Sequence, residues 1–280
     1  MTQSYAVVQV DKTEVDLIHT RGWIKAEKDT DYYPNQYIVL KDPINNGSAI
    51  GRVSEDKQKI LRVVDTSKKR RFRVRPKNLE QTIALDALLS GVPAVTLTGI
   101  AGSGKTILCC GAALHLLDIG IIDRVIITRP MSTIGKYQLG YLPGSAHEKF
   151  EPYLINYRCN FEQLLDQYEA MDSLIMSGKV QILPLQLMRG ASFARTMVLV
   201  DEAQVLTVED MISIGTRIGE ESKIVFIGDL DQRDEPIAKE ETGLYKLAHS
   251  EKARQSSLIT QIELTTCVRS SLAAQFSSFF

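Results

Sequence analysis

Gly99-Ile100-Ala101-Gly102-Ser103-Gly104-Lys105-Thr106 reads G-x-x-x-x-G-K-[ST], and it stands between an apolar run, Ala94 to Thr98, and a helix-like stretch, Thr106 to Leu117. Strand, glycine-rich turn and helix in that order make a phosphate cradle. Glycines let successive backbone N–H groups curl around phosphate oxygens, and the helix that follows adds its positive end. Lys105 supplies a point charge to the β and γ phosphates, and the Thr106 hydroxyl is a ligand for Mg²⁺. The expected ligand is therefore Mg²⁺·ATP, bound by residues 99–106.

Working outward, further apolar runs at Val125 to Thr128, Val180 to Leu183, Met197 to Val200 and Ile224 to Ile227 alternate with helical stretches at Phe161 to Met176 and Val208 to Ile218. Buried strands alternating with helices predict a parallel sheet with helical cover. Thr207, with Asp210 three residues on, predicts an N-cap for the last of these helices. Before residue 76 the pattern differs. Short runs at Tyr5 to Val10, Gln36 to Leu40, Ile50 to Val53 and Leu61 to Val64 are broken by turn chemistry such as Asp42 to Ser48, so residues 1–75 read as a small β-rich module ending in a basic linker. Residues 76–280 read as the nucleotide-binding domain.

The second half of a metal site should be an acidic residue at the end of another buried strand. Met197-Val-Leu-Val-Asp201-Glu202 supplies one. A carboxylate placed directly after four apolar residues is costly to bury unpaired, so Asp201 is expected to face the metal ion or its water shell. Glu202, one residue on, is placed to polarise a water in line with the γ phosphate. A third strand end, Gly228-Asp229-Leu-Asp-Gln232, brings Gln232 to the same edge, where ligands of such sheets bind. Lys105, Glu202 and Gln232 are thus the expected catalytic set. A water-activating carboxylate favours hydrolysis over phosphotransfer, because a kinase has to exclude water.

Composition narrows the class without naming a partner. In 280 residues, 33 Lys and Arg balance 34 Asp and Glu for a net charge of −1, with 44 % hydrophobic and 24 % charged residues, the balance of an ordinary globular protein. Lys68 to Lys77 nevertheless packs seven cations into ten residues. Such a run gives sequence-independent affinity for nucleic-acid phosphates, with Arg70, Arg71 and Arg73 the expected contacts, or it is a solvated linker. Phe72 within it would stack on a base or tuck into the core. Cys109, Cys110, Cys159 and Cys267 read as reduced core thiols. No stretch approaches the length of an apolar membrane span and no leader pattern opens the chain, so a cytoplasmic location is expected.

In their joint order these motifs resemble the PhoH-like ATPases, whose core is similar to the first, RecA-like motor domain of superfamily 1 helicases. The resemblance covers roughly Pro76 to Phe280. It rests on Asn78-Leu-Glu-Gln81, the phosphate loop, Thr128-Arg-Pro130, Leu139 to Gly144, Glu148-Lys149, Met188-Arg-Gly190, Asp201-Glu-Ala-Gln204, Gly228-Asp229 with Gln232, and Val268-Arg-Ser270. It implies that Gln81 reads the adenine edge, unless it is an exposed helix residue, and that Arg129, unless it simply begins a loop ahead of Pro130, and the loop from Leu139 lie on the nucleic-acid side. The family often carries Asn where this chain has Val205. The roughly 75 residues ahead of the core are too few for the PIN-type nuclease of many relatives, so no nuclease site is expected.

The implied activity is ATP hydrolysis coupled to RNA or single-stranded nucleic acid; a slow ATP-gated switch acting on a protein partner is the alternative. A single motor core implies a homo-oligomer, such as a hexameric ring, in which Arg269 of one subunit, or else Arg217, reaches the ATP of the next.

Overall fold

The computed structural model describes residues 4–27, 30–64, 72–130, 146–188, 190–232 and 238–268, with residues 146–153 described in backbone only. Two sheets organise them. The first has the order β1-β3-β4-β5-β2, formed by β1 (Tyr5–Gln9), β2 (Trp23–Lys25), β3 (Tyr37–Lys41), β4 (Ser48–Val53) and β5 (Lys59–Arg62). It is mixed, since β1 runs parallel to β3 while the other pairs are antiparallel. Helix α1 (Lys12–Arg21) makes the crossover that a parallel pair requires. Asp11 caps its start and Gly22, at φ 81°, ends it in the left-handed region.

The second sheet is all parallel, with the order β11-β6-β10-β9-β7-β8. Its strands are β6 (Ala94–Gly99), β7 (Arg124–Thr128), β8 (Val180–Ile182), β9 (Thr196–Val200), β10 (Lys223–Gly228) and β11 (Ile259–Leu264). Strands β9 and β10 are buried along their whole length, as strands covered on both faces must be. Alternation then sorts their side chains. Met197, Leu199, Val225 and Ile227 join the core beneath α2 (Leu79–Leu89), α3 (Lys105–Asp118), α4 (Ala146–Leu165) and α5 (Ala170–Met176). Val198, Val200, Ile224 and Phe226 face the other way, toward α6 (Val208–Gly215) and α7 (Gly243–Ala248). Each such side chain contributes about 1.5–3 kcal/mol on burial.

The expected strands are all present, and Thr207 with Asp210 forms the full capping box on α6. Other features differ from the sequence reading, which had neither helix α1 nor strand β2 within residues 1–75. The stretch read as one helix, Phe161 to Met176, is the end of α4 and all of α5, broken where Asp166 and Glu169 take φ of 50° and 56°. A sixth strand, β11, joins the sheet beside the phosphate-loop strand. Cys109 and Cys110 are buried thiols as expected, but Cys159 is exposed on α4 and Cys267 is half-buried.

The two sheets are joined through α2. Asp86 accepts from Arg52 Nε of β4 at 2.9 Å and from the Tyr37 hydroxyl of β3 at 2.8 Å. Asn35 Nδ2 donates to Ser257 O at 2.9 Å, and the Ser4 hydroxyl bridges the main chain of Glu263.

Candidate functional site

The phosphate loop leaves β6 at its carboxyl end and enters α3 at Lys105. Its shape depends on three glycines with positive φ: Gly99 at 146°, Gly102 at 75° and Gly104 at 91°. Space adds a second constraint. A Cβ at Gly99 would lie 2.3 Å from Leu264 O of β11, and one at Gly104 would lie 2.7 Å from Gln81 Nε2. The loop is braced from outside. Gln81 Nε2 donates to Ser103 O at 2.8 Å, and Val268 N donates to Gly102 O at 3.0 Å. Because a peptide's C=O and the following N–H point in opposite directions, fixing Ser103 O outward turns the Gly104 N–H inward.

Gln81 is 3 % exposed, so it is not a surface residue of the helix. Its amide also accepts from Lys77 N at 2.7 Å, and its main-chain N–H bonds to the cap residue Asn78 at 2.8 Å. Around it, the segment after β11 is lashed to α2. Glu80 accepts from the main-chain N–H groups of Thr265, at 2.8 Å, and Thr266, at 3.2 Å, while Lys77 Nζ donates to Val268 O at 3.2 Å. Neither this strap nor β11 was anticipated from the sequence.

Lys105 Nζ donates to Gly99 O at 2.6 Å and Ile100 O at 2.9 Å. Burial lowers its pKa, opposed by the nearby charges of Asp229, Asp201 and Glu202 in that order. One strand, β10, separates β6 from β9, so two strand spacings, about 10 Å, lie between the loop and the carboxylates that follow β9. Asp201 sits there with its main-chain N–H on Thr128 O at 2.8 Å. Burial, and then Glu202, push its carboxyl up to about 6, against the pull of Arg129 and Lys105. A carboxylate so poorly solvated is suited to a cation. The Ser103 hydroxyl, buried inside the loop, has no hydrogen-bond partner among the described residues. These features fit a phosphate in the loop and a divalent cation beside Asp201.

Glu202 adopts φ 51° at the turn after β9. Its Oε2 accepts from Gln204 Nε2 at 2.5 Å, and its Oε1 lies 3.9 Å from Arg129 Nη2. Arg129, expected on a nucleic-acid surface, thus turns toward the carboxylates, with its side chain 16 % exposed. Gln232 is exposed after β10, its N–H bonded to Asp229 O at 3.2 Å.

The other expected residues lie away from this edge or outside the described residues. Arg73 pairs with Asp118 at 3.4 Å, at the far end of α3, a helix about 20 Å long. Phe72 is in the core, edge-on to His115, which settles its two readings in favour of packing. Arg217 belongs to the segment bridging Phe193 and Ile218, beyond the amino ends of β9 and β10, on the edge opposite the phosphate loop. Arg70, Arg71, Arg269 and the Leu139 to Gly144 loop lie outside the described residues.

A parallel sheet with this loop and these strand-end carboxylates defines the P-loop nucleotide-binding class. Residues 73–280 match the PhoH-like protein family, and the chain belongs to it. Protein PhoH2 of Bacillus subtilis is 36 % identical over 73 % of this chain and 47 % of its own length. Protein PhoH2 of Thermobispora bispora is 31 % identical over 96 % of this chain and 60 % of its own. The PhoH-like protein of Mycobacterium tuberculosis is 35 % identical over 67 % and 52 %. The chain spans about half the length of the curated relatives it matches. Among solved structures, the Pif1 helicase of Candida albicans overlaps 73 % of this chain and 43 % of its own at 18 % identity and a TM-score of 0.38, too loosely to bear on function. Among the described residues, no helix is long and apolar enough to cross a membrane.

Proposed function

We propose that the chain is a Mg²⁺-dependent ATPase whose cycle is coupled to RNA or another single-stranded nucleic acid. The observation that carries the hydrolytic part is the convergence, at one sheet edge, of Lys105 and the braced loop with Asp201 and Glu202. The loop's N–H groups and Lys105 hold the β and γ phosphates. Thr106 and Asp201 hold Mg²⁺, which offsets phosphate charge when bound. Glu202 takes a proton from water as the water oxygen bonds to the γ phosphorus and the bond to the bridging oxygen breaks, giving ADP and phosphate. Gln232 orients that water.

Coupling to nucleic acid rests on the family and on the basic run, and a homo-oligomer with Arg269 acting across subunits is part of the same reading. In the test, Lys105→Ala is expected to lose nucleotide binding, and Glu202→Gln to keep binding but lose turnover. Single-stranded RNA should stimulate the parent's ATPase rate. Equal loss of affinity in the two variants would remove Glu202 from the role of base. An unstimulated rate would favour an ATP-gated switch for a protein partner.

A further inference from the structure

Gln204 stands two residues beyond Glu202 and is 3 % exposed, yet both ends of its amide are engaged. Nε2 donates to Glu202 Oε2 at 2.5 Å, and Oε1 accepts from the main-chain N–H of Asp229 at 3.2 Å. The orientation of the amide is fixed by chemistry. Asp229 N–H can only donate, so Oε1 must face it, and the NH₂ group then faces the carboxylate. Glu202 Oε2 thereby accepts the amide's hydrogen bond, while Oε1 lies 3.9 Å from Arg129 Nη2. Gly228 is shaped around the same contact, for a Cβ there would lie 2.7 Å from Gln204 Oε1 and 2.6 Å from Leu244 Cδ2. Glu202 itself holds φ 51° on a turn, with its side chain 43 % exposed, so its place depends on the Gln204 bond together with the longer ion pair to Arg129.

We propose that Gln204 is a positioning residue that holds the water-activating carboxylate of Glu202 and ties its place to the end of β10, the strand end that carries Gln232. The proposal rests on the reading of Glu202 as base. It couples the place of Glu202 to the end of β10, with Gln204 as the link between two strand ends.

The test uses Gln204→Met, which keeps volume and loses both bonds, Gln204→Glu, which keeps an acceptor for Asp229 but loses the donor to Glu202, and Gly228→Ala, which displaces the amide without altering either residue. In each, kcat is expected to fall by about tenfold or more while KM and the Kd of a fluorescent ATP analogue stay within about twofold. In a Glu202→Gln background, Gln204→Met should add no further loss, because a residue acting through Glu202 has nothing left to position. Unchanged kcat in Gln204→Met and Gly228→Ala, or a fully additive loss in the double variant, would overturn the proposal. So would a loss of ATP affinity in Gln204→Met as large as that of Lys105→Ala, which would make the residue structural. The two readings fail differently. Turnover retained in Glu202→Gln sinks the base assignment and the proposal together; turnover lost there but kept in Gln204→Met sinks the proposal alone.

Discussion

Lys223 is a cation set where the core has almost no water. Its Nζ donates to Ala87 O at 3.2 Å and to Val92 O, capping carbonyls at and just beyond the end of α2, and burial lowers its pKa to about 7. In the unfolded chain the group keeps its ordinary value, 10.5. Between those values the unfolded chain binds more protons, so this residue makes stability rise with pH from about 7 toward 10, and the gain is lost as pH falls through 7. Chemical denaturation at pH 7 and pH 9 should therefore show the parent gaining about 2 kcal/mol relative to Lys223→Met. A parallel response of the two proteins would mean that the lysine stays protonated within the fold.

At the scale of elements, the phosphate loop is the piece most exposed to single changes, because shape and bracing coincide at Gly104. Replacing it with Ala costs about 1–2 kcal/mol for the left-handed backbone and also forces Gln81 off Ser103. Gly104→Ala should weaken nucleotide binding by tenfold or more while Gly91→Ala, at a site with open space, leaves it unchanged; titration with a fluorescent ATP analogue reads both. The loop itself was legible in the sequence, since its residue types are required by the chemistry. So were β7, β9 and β10, whose burial on both faces writes continuous apolar runs, and β6, by its place directly before the loop. Strand β11 was not, because an edge strand with one half-exposed face alternates, and Ile259-Thr-Gln-Ile-Glu-Leu264 offers only three apolar residues. The bracing by Gln81 and the roles of Arg129 and Gln204 were hidden for another reason. They are contacts between residues far apart in the chain or around a turn, and Asp201-Glu-Ala-Gln204 shows that a glutamine is present without showing where its amide points.

For the whole molecule, the join between the sheets runs through Asp86, which holds Arg52 and Tyr37 on the same helix that carries Gln81. Removing one partner of a half-buried ion pair leaves the other poorly solvated. Asp86→Ala should cost about 2–3 kcal/mol and lower the midpoint of thermal unfolding, and a calorimetric trace that splits into two transitions would show the sheets melting separately. Unchanged unfolding would mean that the main-chain contacts of Ser4 and Asn35 suffice. The order of strands has a further consequence for how the protein comes into being. Strand β6 lies between β10 and β11, both made much later by the ribosome, and Gly99 packs against the last residue of β11. A nascent chain emerging from the tunnel therefore presents its phosphate loop on a strand with neither neighbour, and that strand stays unflanked on the β11 side until Leu264 has cleared the exit.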